Sequence, residues 1–223
     1  NRVKKFIFSS TAATYGEPDS KVVSLETGLK ESDPTEPINP YGMSKLMSER
    51  VLKDTDFAYD DFKYAVLRYF NVAGSDPDGR IGQSTENATL LIKVAAEAAT
   101  GKREKMYIFG DDYPTHDGTG IRDYIHVVDL AQAHIEALNY LEDNESDVFN
   151  VGYSRGFSVK EVIDTMKKVS GVDFTVELKE RRAGDPAILI SDNTKIKNAM
   201  NWEPKYDELE MICQTTLEWE KKL

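Results

Sequence analysis

The stretch Lys4–Ser10, "KKFIFSS", runs almost without a break through apolar residues and then into small polar ones. A strand with one wet face would alternate, so this run predicts a strand buried on both faces of a parallel sheet. Two later stretches share the pattern: Tyr64–Val72, "YAVLRYFNV", and Val148–Tyr153, "VFNVGY". Segments with helical apolar spacing lie between them, long enough to serve as crossover connections. The alternation predicts an α/β fold with a mostly parallel sheet. Ligands of such sheets sit at the carboxyl ends of the strands. The segments to read for chemistry are therefore "SSTAATYGE" from Ser9, "NVAGSDPDG" from Asn71 and "GYSRGFS" from Gly152.

The helices carry recognisable start and stop signals. Asn39 is a good N-cap and Pro40 suits the first helical position, which predicts a helix through "YGMSKLMSERVLKD". "TLLIKVAAEAAT" shows helical spacing and stops at Gly101, and "VDLAQAHIEALNYL" is expected to start with Asp129 as its cap. Ser158 to Glu161, "SVKE", is a capping box that opens a helix ending at Gly171, and "ELEMICQTTLEWEKKL" closes the chain as a last helix.

At 223 residues and 40% hydrophobic content the chain is long enough to bury a sizeable core. A net charge of −11 and a pI near 4.8 argue against a nucleic-acid or anionic-membrane surface, although a few arginines suffice to grip one phosphate ligand. No apolar run approaches the ~20 residues needed to span a bilayer. Cytoplasmic localisation is the default expectation. The single Cys213 permits no internal disulfide and reads as a small apolar residue on a helix. His116, His126 and His134 lack the spacing of a zinc site, so no metal is expected.

Asn39–Lys45, "NPYGMSK", places Tyr41 four residues before Lys45. With 11 tyrosines and 19 lysines, roughly one Tyr-x-x-x-Lys is expected by chance, and Tyr59 with Lys63 supplies a second. Setting separates the two. Lys45 shares a helix face with Tyr41, and a phenol with a reference pKa near 10 needs about 4 kcal/mol of preferential phenolate stabilisation to act as a base at neutral pH. A cation about 4 Å away supplies on the order of that amount, and the helix N-terminus adds to it. Tyr59 and Lys63 fall in "FAYDDFKYAV", where Asp60 and Asp61 oppose phenolate formation, and are read as structural. Upstream, the end of the first strand is expected to deliver Ser9, Ser10 and Thr11 into a loop, where a hydroxyl can bond the oxygen that Tyr41 deprotonates.

Taken together, "SSTAATYG", "NPYGMSK" and "LRYFNVAG" resemble the extended short-chain dehydrogenase/reductase family. "IFGDDYPTHDGTGIRDYIHVVDLA", "FNVGYSRGFSV" and "RRAGDPA" resemble its branch that interconverts UDP-galactose and UDP-glucose, and the likeness extends from Phe6 to the last helix. The resemblance implies the C-terminal part of a Rossmann-type doubly wound parallel sheet plus a smaller α/β substrate domain. Residues 1–74 and 121–153 would belong to the NAD-binding part, and 75–120 and 154–223 to the UDP-sugar part. It also implies NAD as cofactor, UDP-glucose and UDP-galactose as substrates, and a homodimer. Tyr41 would be the catalytic base and Lys45 its partner, bonded also to the nicotinamide ribose. Thr11 would assist at the sugar hydroxyl, with Ser9 and Phe70 on the cofactor side. Asn71 would contact the diphosphate, Tyr107, Ile108 and Phe109 would border the uracil, and Arg122, Arg182 and Asp185 would hold phosphates and ribose. The size of Leu189 would bear on whether N-acetylated sugars are admitted, and its intermediate bulk would mildly favour UDP-glucose and UDP-galactose.

Three departures accompany the resemblance. Leu90 and Leu91 stand where the family commonly has His or Asn followed by Leu. Ala12 and Ala13 stand where the rival 4,6-dehydratases and decarboxylases of the same superfamily usually carry an acid, and without that acid epimerisation is the simpler chemistry. No Gly-x-Gly-x-x-Gly phosphate loop follows any strand, so the chain is expected to be a piece of a longer enzyme, inactive by itself. A non-catalytic UDP-sugar-binding module is the alternative from another class.

Overall fold

A computed structural model describes residues 3–19 and 23–223. Its elements are β1 (Lys5–Thr11), α1 (Pro40–Ala58), β2 (Lys63–Tyr69), β3 (Asn71–Ala73), α2 (Leu91–Ala99), β4 (Lys105–Phe109), β5 (Ile121–His126), α3 (Val127–Asp143), β6 (Asp147–Val151), β7 (Gly156–Ser158), α4 (Val159–Ser170), β8 (Thr175–Lys179), β9 (Ile188–Leu189), α5 (Thr194–Ala199) and α6 (Leu209–Glu220). A 3-10 turn, Ala12–Tyr15, follows β1 directly. Strands β1, β2 and β6 form a parallel sheet in that order. Strand β5 joins β3 and β9 in parallel and β7 antiparallel, while β4 and β8 pair as a parallel ribbon.

The cores follow from these layers. Ala65 and Leu67 of β2 and Phe149 and Val151 of β6 pack against Ala133, Ala137 and Leu141 of α3 and against Trp202. Helices α2, α4 and α6 enclose a second core with Met106, Tyr124 and Cys213. Burial pushes the Cys213 thiol up to about 12, so it packs as a small apolar group. A third cluster joins Ala12, Tyr15, Leu29 and Phe70, with Ile188 and Leu189 against it.

Several caps stand as read from the sequence. Asn39 Oδ1 accepts from Gly42 N at 2.8 Å with Pro40 at the first position, and Ser158 with Glu161 forms the full capping box of α4, which ends on left-handed Gly171. Other expectations need correction. Strand β1 is an edge strand among the described residues, with Phe6 41% exposed, rather than buried on both faces. The run from Tyr64 to Val72 breaks at Phe70: β2 pairs with β1 and β6, whereas β3 pairs with β5. The cap of α3 is His126, whose Nδ1 accepts from Val128 N at 3.2 Å. Asp129 lies inside the first turn and accepts instead from Tyr153 Oη at 2.6 Å and from Lys205 and Tyr206 N–H. The chain passes from β5 into α3 without a loop, which places His126 in the capping position.

Candidate active site

Helix α1 carries Tyr41 and Lys45 over the carboxyl end of β1. Gly42, between them, makes this possible: a Cβ there would stand 2.4 Å from the carbonyl oxygen of Ala13, so only glycine lets the helix rest on the 3-10 turn. Lys45 Nζ donates to Ser9 O at 3.0 Å, and lies 5.1 Å from the ring centre of Phe8 and 5.9 Å from that of Tyr41. Tyr41 is 54% exposed.

The hydroxyls of the first segment are distributed differently from the expected polar loop, because β1 continues through Thr11. His134 Nδ1 bonds the Leu130 carbonyl at 2.8 Å, and a carbonyl only accepts, so His134 Nε2 is left to accept from Ser9 Oγ at 3.1 Å. Ser10 Oγ donates to Glu49 of α1. Only Thr11 reaches the strand end, where its Oγ1 accepts from Ala13 N at 3.2 Å and caps the 3-10 turn.

A separate cleft gathers the second half of the expected residues: Asn71, Tyr107, Phe109, Arg122, Arg182 and Asp185 all line it. On strand β4 side chains alternate, so Tyr107 and Phe109 face the cleft while Ile108 turns to the core formed by α2, α4 and α6. The guanidinium of Arg182 lies 3.7 Å above the ring of Phe109, and its neighbour Arg181 lies 3.7 Å above Tyr113 while pairing with Asp112 at 2.9 Å. Arg122 donates to the Ile121 carbonyl at 2.8 Å. Among the described residues neither Arg122 nor Arg182 is paired with a carboxylate, so each keeps N–H donors for an anion, Arg122 those not spent on the Ile121 carbonyl.

Phe70 and Asn71 connect the two groups. Thr11 sits opposite Tyr69 in the pairing of β1 with β2, and the chain then passes through Phe70, packed on Ala12 and Tyr15, to Asn71 in the cleft. Leu189 approaches from the other side: it packs against the same cluster and stands opposite Arg122 in the pairing of β9 with β5. The decoy pair is elsewhere, with Tyr59 capping the end of α1 and Lys63 paired with Glu145 at 2.8 Å.

Sequence reasoning missed two sets of residues. Thr89, Arg103, Tyr113 and Tyr124 also line the cleft, and Leu90 and Leu91 do so where the family pattern departs. Beneath α1, Glu49 and Arg68 form a buried ion pair at 2.6 Å. Arg68 was visible as one charge inside an apolar strand run. No group of three His, Cys, Asp or Glu side chains placed to hold a metal occurs among the described residues, and none of their helices is long and apolar enough to cross a membrane.

A parallel-stranded sheet flanked by helices, with Tyr41 and Lys45 at its carboxyl edge and an arginine-lined cleft beside them, defines an α/β protein of the Rossmann type. The chain belongs to the NAD dependent epimerase/dehydratase family, whose profile matches residues 1–152. It is 49% identical over 222 residues to the UDP-glucose 4-epimerase of Azospirillum brasilense, covering 99% of this chain and 62% of that protein. Among solved structures, the UDP-Glc/GlcNAc 4-epimerase of Campylobacter jejuni is 64% identical with a TM-score of 0.80, over 99% of this chain and 65% of that one. The UDP-glucose 4-epimerase of Bifidobacterium longum in complex with NAD+ and UDP is 36% identical with a TM-score of 0.90, over 99% and 64%. The chain thus spans less than two thirds of the length of each.

Proposed function

We propose that the protein bearing this chain is an NAD-dependent isomerase that interconverts UDP-galactose and UDP-glucose at C4. The observation that carries this reading is the connection, through Phe70 and Asn71, between the Tyr41–Lys45 helix face and a cleft lined by two guanidiniums that can take a diphosphate. Residues 1–74 and 121–153 make the cofactor side in this reading, and 75–120 and 154–223 the UDP-sugar side.

The residues present suit the nicotinamide end of NAD. An ammonium has three N–H donors, and Lys45 commits one of them to Ser9 O, leaving two for the ribose and the phenol. Ser9 acts through that bond and Phe70 supplies an apolar wall. The Gly-rich loop that usually holds the dinucleotide phosphates is not among the 223 residues. NAD, when bound, supplies the acceptor and then the donor of the hydrogen at C4.

The chain's own groups do the rest. Tyr41, as phenolate, takes the proton from the sugar 4-hydroxyl and later returns it, with Lys45 stabilising the anion and Thr11 bonding the same oxygen. Arg122 and Arg182 grip the diphosphate as planar forks, aided by Asn71, while Asp185 takes ribose hydroxyls and Tyr107 and Phe109 border the uracil, with Ile108 between them turned to the core. Firm hold on UDP and loose hold on the sugar allow the 4-keto sugar to turn about its phosphate link and present its other face. Ala12 and Ala13 provide no acid for work at C5, which favours epimerisation over dehydration. Met43, Met47 and Val51, spaced one turn apart and exposed on α1, support the homodimer.

The test is conversion of UDP-galactose by the full-length polypeptide with NAD. A protein that binds UDP yet leaves the sugar unchanged would contradict the reading. A second reading, that N-acetylated UDP-hexoses are also substrates, draws support from the 64% identity to a UDP-Glc/GlcNAc 4-epimerase, against the intermediate bulk of Leu189, which mildly favours UDP-glucose and UDP-galactose. Leu189→Tyr is then expected to suppress turnover of the N-acetylated substrate selectively.

A further inference from the structure

Helix α1 has 19 residues, yet the only ones fully buried among the described residues are Gly42 and Glu49. The one side chain of α1 that is fully buried among the described residues is thus a carboxylate. Tyr41, Lys45 and Glu49 are spaced four apart and share a face, so whatever holds Glu49 also sets the height of the other two.

Glu49 accepts three hydrogen bonds from two residues. Arg68 of β2 grips it with both forks, Nε to Oε1 at 3.1 Å and Nη2 to Oε2 at 2.6 Å, and Ser10 of β1 donates to Oε1. Arg68 also donates through Nη1 to Tyr15 Oη at 3.1 Å, and Tyr15 donates to Asn150 Oδ1 at 2.7 Å. Ser10, Arg68 and Asn150 are register partners across β1, β2 and β6, so they form one row beneath the helix. Tyr15 closes the 3-10 turn that Thr11 caps. The row thus ties the helix bearing Tyr41 and Lys45 and the turn bearing Thr11 to the same level of the sheet.

Building on the function proposed above, we infer that Glu49 is the positioning residue of Tyr41 and Lys45, its bidentate bond to Arg68 fixing where both stand relative to Thr11. An apolar contact would permit the helix to slide along the sheet, whereas a planar fork fixes both distance and direction. The charged and titratable groups facing Glu49 are Arg68 and Tyr64 of β2 and Tyr15 of the turn; Lys45 faces Tyr41 from its own helix.

The experiment is Glu49→Gln in the full-length holoenzyme, assayed beside wild type for kcat, UDP affinity, the pH profile of turnover and phenolate absorbance referenced to Tyr41→Phe. Misplacement of the base predicts a loss in kcat of about 10- to 100-fold with UDP affinity within about twofold. The low-pH limb of turnover and the Tyr41 phenolate absorbance should both move to higher pH, because Lys45 no longer stands beside the phenol. Removal of a negative charge acting only through space would move both to lower pH. Unchanged kcat, or movement to lower pH, overturns the positioning role. Should Glu49→Gln fail to fold, the uncharged pair Glu49→Gln/Arg68→Gln must show the same loss, and wild-type turnover in that variant overturns the proposal. An inactive wild type refutes the epimerase reading alone, since phenolate absorbance still reports whether Glu49 positions Tyr41.

Discussion

The ammonium of Lys45 donates to the backbone carbonyl of Ser9 across the gap between α1 and β1. A helix-borne cation is thereby fastened to the end of a strand, beside a tyrosine that is half in solvent. In the proposed mechanism this tether puts the stabilising charge in place before any ligand arrives, which is the condition for an electrostatic contribution free of reorganisation.

In the proposed mechanism Tyr41→Phe removes the proton carrier and leaves the cleft intact. Turnover should fall by about 10²- to 10⁴-fold while the dissociation constant of UDP stays near wild type. Steady-state kinetics with a UDP-binding titration check both halves, and unchanged turnover would refute the role.

Arg122 and Arg182 come from distant segments and meet at one cleft. Arg122→Ala or Arg182→Ala should each weaken UDP by about 1.5–3 kcal/mol, the loss of hydrogen bonds to a charged group, or roughly 10- to 100-fold. Calorimetry reads the change. Loss of salt sensitivity in UDP binding should accompany it.

The two ends of NAD should separate experimentally. Residues 1–223 carry the cleft proposed for UDP but no Gly-rich loop, so by themselves they should bind UDP and retain no stoichiometric NAD after gel filtration. Absorbance of the denatured protein decides this, and stoichiometric cofactor would show that the loop is dispensable.

Burial lowers the proton affinity of His126 from the ordinary 6.5 to about 4, with Asp129 and Asp76 opposing the shift only in part. The native state thus refuses a proton that the unfolded chain accepts, so the contribution to stability is complete above 6.5 and is lost as pH falls toward 4. Between pH 7.5 and 5 the protein should lose on the order of 2 kcal/mol more than His126→Asn, which keeps a capping side chain and does not titrate. Denaturant unfolding at the two pH values measures it. Equal slopes in both proteins would show that His126 is not responsible.

Local chemistry was legible wherever one turn of chain contains all the partners. Asn39 with Pro40, Ser158 with Glu161, and Gly171 are such cases. Expectations failed where the partner is distant in sequence. Whether β1 has one flanking strand or two depends on what else is paired, and the kink at Phe70 depends on β5 drawing Asn71 into a different sheet. Asp129 reads as a cap until Tyr153, Lys205 and Tyr206 are brought to it. The site divides along the same line. Motif residues could be named individually, but the row Ser10–Arg68–Asn150 exists only through strand register. Its one outward sign was Arg68, a charge no apolar strand would keep without a buried partner.

Leu189 and Arg122 are partners in the two-residue pairing of β9 with β5. In the proposed site one governs how much room the sugar has and the other how the phosphates are held, so they share a single piece of backbone. A change in sugar preference made by shifting that backbone would disturb the anchor about which the sugar must turn. Selectivity is therefore free to drift through side-chain volume at position 189 and is constrained in every other coordinate there, so natural variation among homologues should concentrate in that residue's size while the hydrogen-bonded bridge beneath it persists.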